Sequence, residues 1–305
     1  MLPIKIELPE GFLDEEVRCD YTISHEMKKV WAVELDLLVE FQRVCRKYNL
    51  RYFAYGGTLL GAIRHQGYIP WDDDIDVLML RKDYDKFVEV AEKEFRHPYF
   101  FQTEDTDRFS VRGHAQIRNT MTTGILTSEQ QFRFRFNQGI FLDVFVLDNV
   151  PEDERNRLKF YRKVARIKKK MSLFRNASCK EAVKGSRGMN KQIKSILYLF
   201  IHDRKNPYFP KLHEFCSSLE GKTDLLGDCI FDPGQPDLVF DASIFESVET
   251  KPFEFISVDV PSGYTEMLDV SYGNWREFVK GTSAHGGVIF DPEQSYQIRL
   301  GTDGK

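Results

Sequence analysis

The chain has 305 residues, 42% of them hydrophobic and 30% charged, with 25 Phe and 13 Tyr. That is an ordinary globular composition, long enough for one large domain or two small ones, and it excludes a largely disordered chain. The net charge of −4 argues against a general nucleic-acid binder, yet residues 155–194 hold fifteen Lys or Arg against the single acid Glu181, leaving about −18 for the remainder.

The N-terminus, MLPIKIELPEGF, lacks the basic region and apolar stretch of a signal peptide. From Ser24 to Tyr48 apolar residues recur at three- and four-residue steps, which predicts a helix with Ser24 as its N-cap. RYFAYGG reads as a short strand stopped by Gly56 and Gly57, and TLLGAIRHQG as a short helix ended by Gly67. YIPWDDD is a loop, DIDVLML a strand, and RKDYDKFVEVAEKEF an amphipathic helix. YFFQTED, AQIRNTMTTGIL and GIFLDVFVLDNV are strand-like, the last as a buried strand.

A helix is predicted near 152–175, a loop over SCKEAVKGSRGMN, and helices over KQIKSILYLFIH and near 207–220. Residues 221–237 read as turns, FEFISVDV as strand and YTEMLDVSYG as helix. No run of about 18 apolar residues predicts a membrane span. Cys19, Cys45, Cys179, Cys216 and Cys229 are odd in number and form no C-x-x-C pair, so reduced thiols are expected rather than a disulfide framework or a Cys-rich zinc site.

The chemistry concentrates in YGGTLLGAIRHQGYIPWDDDIDVLML, residues 55–80. In a strand starting at Asp74, Asp74 and Asp76 project to one face while Ile75 and Val77 enter the core. Two such carboxylates need a cation or a proton to sit side by side, and a hard divalent ion, Mg²⁺ or Mn²⁺, suits oxygen ligands. A Gly-Gly turn into a helix leaves free N–H groups for a phosphate, so Gly56, Gly57 and Thr58 are candidate phosphate contacts. Glycines for phosphate followed by paired aspartates for metal is the layout of the nucleotidyltransferase fold. Asp143, a lone acid in an apolar strand, is the candidate third carboxylate, ahead of Asp148.

The stretch YFAYGGTLLGAIRHQGYIPWDDDIDVLMLRKDYDKF resembles the signature of the LicD family of phosphocholine and phospho-alditol transferases, which includes the fukutin-related enzymes. QIRNTMTT, GIFLDVFVLD, SYGNW and His285 resemble the family more weakly. The family's Tyr-Gly-Asp stands here as Tyr272-Gly273-Asn274.

The resemblance implies a metal-dependent transfer of a phospho-alcohol group to a hydroxyl of a cell-surface glycan such as lipopolysaccharide, teichoic acid or capsule. Phosphocholine from CDP-choline is favoured and CMP is released. CDP-ribitol, CDP-glycerol and CDP-ethanolamine are alternative donors, and nucleotidyl transfer to a small molecule or RNA is the rival reaction. The implied catalytic and metal-binding residues are Asp74, Asp76 and Asp143. The implied substrate contacts are Gly56, Gly57, Thr58, Arg64, Arg118, Trp71 and His285. Tyr68, Trp71, Tyr272 and Trp275 are candidates for an aromatic cage around a quaternary ammonium.

A mixed α+β fold is expected: a nucleotidyltransferase-like core sheet with flanking helices and an inserted basic helical region. One domain spans 1–305, with its core at 24–150, the basic insert at 151–220 and a return to the core at 221–305. A cytoplasmic protein is expected. The basic region 155–194 is a solvated helix face in the plainest reading, and otherwise a contact for a glycan acceptor or for the inner face of the membrane.

Overall fold

The computed structural model describes residues 1–110, 112–127, 136–280 and 287–301. Short strands β1 (Glu16–Arg18) and β2 (Tyr21–Ile23) form a hairpin ahead of helix α1 (His25–Tyr48). Ser24 caps α1 as its sequence predicts, its hydroxyl accepting the Met27 N–H at 3.2 Å, and Asn49 ends the helix in the left-handed region. Most of α1 is buried because it lies across the central sheet.

That sheet has seven strands: β3 (Phe53–Ala54), β4 (Asp76–Leu80), β5 (Tyr99–Gln102), β6 (Ala115–Asn119), β8 (Ile140–Asn149), β9 (Leu225–Gly227) and β10 (Val239–Asp241). A further strand, β7 (Thr123–Leu126), pairs apart from it with β13 (Val288–Asp291). β8 is the axis, with β4 parallel on one side and β6 antiparallel on the other, and β9 pairs with its far end. Nine of the ten β8 residues are buried, as its apolar run requires of a strand covered on both faces.

Helix α2 (Gly56–Arg64) leads from β3 towards β4, and α3 (Arg81–Glu94) follows β4 directly. The mixed α+β class read from the sequence holds. Beyond β8 come α4 (Glu154–Ser178), α5 (Lys180–Gly185), α6 (Gly188–Ile201) and α7 (Tyr208–Cys216), then the hairpin β11 (Val248–Phe253) and β12 (Ile256–Pro261), and α8 (Tyr264–Tyr272). The hydrophobic core runs from Ile23 to Trp275. No helix among the described residues is long and apolar enough to cross a membrane.

Several boundaries differ from the sequence reading, four of them as follows. Helix α2 starts at Gly56, so the glycines belong to its first turn rather than to the strand end. Strand β4 starts at Asp76, two residues after Asp74. Residues 180–185 are helical rather than loop, because Ala182 packs on the small cluster of Phe136 and Cys179, a tertiary contact with no local signature. Within the turn-rich 221–237 stretch, residues 225–227 form β9 by pairing with β8 and β10.

Arg81, the first residue of α3, makes a buried bidentate pair with Asp148 near the end of β8, both contacts at 2.7 Å. The pair fastens the helix that follows β4 onto the neighbouring strand. Removing one partner leaves a buried charge uncompensated, so Asp148→Ala is expected to cost about 3–5 kcal/mol. The double change Arg81→Met with Asp148→Leu should cost clearly less than Asp148→Ala alone, and the midpoints of urea unfolding check both.

Candidate active site

The in-register pairing of β4 with β8 sets Asp76 directly opposite Asp143. Three further contacts fix the entry of β4: Asp143 N–H donates to the Ile75 carbonyl at 3.2 Å, Tyr55 N–H to the Asp76 carbonyl at 3.0 Å, and Asp76 N–H to Thr58 Oγ1 at 2.8 Å. Thr58 is therefore engaged in tying α2 to β4 through its hydroxyl oxygen. The start of α2 has no side-chain cap, so its first turn presents backbone N–H groups without a local acceptor from Tyr55.

The two glycines of that turn let acids approach it. Gly56 has φ +52°, and a Cβ there would stand 3.2 Å from Asp76 Oδ2 and 3.9 Å from the Tyr272 hydroxyl. A Cβ on Gly57 would collide with the Asp72 carboxylate. One carboxylate oxygen from each of Asp72, Asp73 and Asp74 lies within 4.8 Å of the others. Asp72 and Asp73, which the sequence reading did not place among the working acids, thus cluster with Asp74.

These charges act on one another across a poorly solvated site. The Asp76 carboxyl is pushed well above its ordinary range by burial, then by the charges of Asp74, Asp143, Asp72 and Asp228. No side chain among the described residues donates a hydrogen bond to the Asp76 carboxylate. Below the cluster, Glu34 on α1 is fully buried, accepts the Tyr68 hydroxyl at 2.9 Å, and is likewise driven up by burial and by Asp74. A proton or a cation relieves such a group of carboxylates, and an all-oxygen donor set suits a hard divalent ion. Of the acids expected to hold one, Asp74 belongs to the cluster with Asp72 and Asp73, while Asp76 and Asp143 face each other across β4 and β8.

Asp143 behaves oppositely. Burial raises its pKa, but hydrogen bonds from His114 and Gln116 and the nearby positive charge outweigh that and hold it below the usual range. His114 Nε2 lies 2.9 Å and Gln116 Nε2 2.5 Å from Asp143 Oδ1. Burial, acting first, keeps the His114 imidazole neutral, so Nε2–H is the donor to the carboxylate.

Arg118 stands behind this pair. Its guanidinium is fully buried and donates to Gln116 Oε1 at 2.6 Å, Gln102 Oε1 at 2.6 Å and the Gly139 carbonyl at 2.7 Å. Where a phosphate contact was expected of Arg118, the structure has it holding Gln116, which holds Asp143.

Arg64 Nη1 donates to the carbonyls of Trp275 at 2.9 Å and Glu277 at 3.3 Å, joining the end of α2 to the segment after α8. Trp71 is half-buried, edge-on to Tyr21 and Phe278. Tyr68 is buried against Trp31 with ring centroids 4.3 Å apart. Trp275 donates to Asp269 and carries Arg276 on its face. Of the four rings proposed as a cage, Tyr272 is the one whose hydroxyl stands near the first turn of α2. Tyr272 feels the acids directly, its phenol being raised by burial and by Asp76, Asp72 and Asp74. His285 lies outside the described residues.

Residues 49–154 match the family described as LicD/FKTN/FKRP, nucleotidyltransferase domain. The chain is 28% identical to the lipopolysaccharide cholinephosphotransferase LicD of Haemophilus influenzae over 262 residues, 82% of this chain and 91% of that protein. An uncharacterised protein of Rickettsia prowazekii is 41% identical over 139 residues, 46% of each chain. Residues 49–154 are thus similar to the LicD family, and most of the chain is similar to one of its named members. The similarity to a cholinephosphotransferase supports the enzyme class expected from the sequence, a phosphotransferase. The LicD match contains Asp72 to Asp76, Asp143 and the His114–Gln116–Arg118 row, whereas Asp228 and Tyr272 fall beyond it.

The sequence reading missed His114, Gln116, Glu34 and Asp228. The first two carried a signal: His114, Gln116 and Arg118 are polar at every second position along and beside one buried strand, the spacing of a single face. Glu34 carried none, sitting in an amphipathic helix like any surface acid.

Asp228, beside Tyr55 and Phe231 in a small cavity, is raised by burial from 3.8 to about 7, and its buried Oδ2 has no hydrogen-bond partner among the described residues. An acid raised on folding takes up a proton, so its contribution falls as pH climbs from about 4 through about 7. Asp228→Asn is therefore expected to raise the melting temperature more at pH 8 than at pH 5, measured by calorimetry without added metal.

Proposed function

We propose that this chain transfers phosphocholine from CDP-choline to a hydroxyl of a glycan, lipopolysaccharide first among them, and releases CMP. The observation that carries the reading is the register of β4 and β8. It sets Asp76 against Asp143 beside the uncapped start of α2, within a chain similar over 82% of its length to a cholinephosphotransferase.

The phosphate-receiving end is the first turn of α2, where the backbone N–H groups of Gly56, Gly57 and Thr58 meet the positive end of the helix dipole. Carboxylates and a pyrophosphate would repel one another at that place unless a cation lay between them. Asp74, Asp76 and Asp143 would hold a divalent ion, Mg²⁺ or Mn²⁺, which when bound would neutralise pyrophosphate oxygens. The acceptor oxygen forms its bond to the distal phosphorus. The bond from that phosphorus to the bridging oxygen breaks, CMP departs with the electron pair, and the hydroxyl proton passes to solvent or a carboxylate. Asp143 is a poor receiver of that proton, since its pKa is held low, so its part is that of a ligand. Tyr272, whose hydroxyl lies near Gly56, and Trp71, which precedes Asp72 in the chain, are the rings that could face the choline ammonium.

CMP release from CDP-choline with lipopolysaccharide and Mg²⁺ tests the reading directly. Asp76→Asn and Asp143→Asn should each lower kcat by about 100-fold or more, the scale of losing one group that stabilises developing charge. Pyrophosphate release in place of CMP would assign the chain to nucleotidyl transfer instead. His114→Ala removes a donor that keeps Asp143 ionised, so the Asp143 pKa rises. The acid limb of the kcat/KM profile should move to higher pH, with a larger loss at pH 6 than at pH 8.

A further inference from the structure

Helix α6 is built inside out. Met189, Ile193, Ile196, Leu197 and Phe200 recur at the spacing of one helical face. A surface helix normally turns such a face to the core. Here these five residues are 44% to 74% exposed, and no residue of the helix is buried. The side resting on the protein is the mixed one, with Lys194, Ser195 and Tyr198 half-buried. Lys194 Nζ donates to Ser186 Oγ at 2.9 Å, and Arg108 anchors the C-terminal end through the Ile201 carbonyl at 3.2 Å. The helix is held in place by polar contacts, and its apolar side is turned away.

Five large apolar side chains on one exposed face exceed the scatter normal for a soluble surface. The surrounding charge decides what covers them. Lys169, Lys170, Lys180, Lys184, Arg187 and Lys191, on the helices that flank or form this face, are all exposed, in a stretch of about +14 within a chain of net −4. A second copy docked face to face would bring two such stretches together, and like charge opposes that. An anionic, apolar surface satisfies both features at once.

We propose that α6 docks this protein on the surface of an anionic lipid bilayer. The helix lies flat, Met189, Ile193, Ile196, Leu197 and Phe200 enter the boundary between headgroups and acyl chains, and the basic side chains of α4 to α6 meet lipid phosphates. At fourteen residues, about 21 Å, the helix lies on the membrane and is too short to cross it.

The inference is independent of the donor and acceptor assigned above, and its test needs neither. The full chain is sedimented with vesicles of phosphatidylcholine alone and with vesicles containing phosphatidylglycerol. Binding is expected to the anionic vesicles, weakening as salt rises. The double variant Ile196→Glu with Phe200→Glu should lower the partition coefficient at least tenfold while leaving the circular dichroism spectrum and melting temperature unchanged, because neither side chain is buried. Lys169→Glu with Lys170→Glu should weaken binding to the anionic vesicles and lessen its salt dependence. Absence of binding to anionic vesicles would overturn the proposal. So would full binding by the Glu variant, or a vesicle-free dimer that the same variant dissolves in analytical ultracentrifugation.

Discussion

Mutual repulsion among buried carboxylates is the constraint around which this structure is arranged. Register places Asp76 against Asp143. The loop before β4 adds Asp72, Asp73 and Asp74, and α1 contributes Glu34 from below. In water such charges would be screened; beneath a folded surface they are not. The chain answers with two devices. It allows Asp76 and Glu34 to rise towards the protonated state, and it keeps Asp143 ionised by surrounding it with donors. Two acids facing each other across a strand pair are thus pushed in opposite directions, Asp76 up by burial and neighbouring charge and Asp143 down by its donors.

That asymmetry is maintained by a relay of polar side chains. Arg118 holds Gln116, Gln116 and His114 hold Asp143, and Gln102 together with the Gly139 carbonyl holds Arg118. Each member is buried, so each hydrogen bond is costly to leave unmade. The relay crosses β5, β6 and β8, and it makes the orientation of one carboxylate a property of the sheet. On the other side the Thr58 hydroxyl clamps the start of β4 to the first turn of α2, so the glycines and the acids move as one unit.

Much of this was legible in the residues and part was not. Apolar periodicity predicted α1, α3 and β8, because tertiary packing there agrees with local pattern. The acid-rich stretch and the lone Asp143 stood out because carboxylates beside apolar runs are rare without a purpose. The start of β4 was placed two residues early, since strand pairing with β8 decides it and local sequence does not. Arg118 was read as a phosphate contact for want of a way to see Gln102 and Gln116 around it. The outward apolar side of α6 was equally invisible: periodicity reveals that a helix has two faces and says nothing about which one meets the protein.

The raised Asp76 carboxyl carries a last consequence. On the proposed chemistry, a divalent cation taken up among these acids would compete with protonation of the Asp76 carboxyl, which its surroundings already raise. Ion uptake and acidity would then be one linked equilibrium, in which a falling pH competes with the ion for the same oxygen atoms. Such a site would be tuned by the hydrogen-ion activity around it before any substrate arrives.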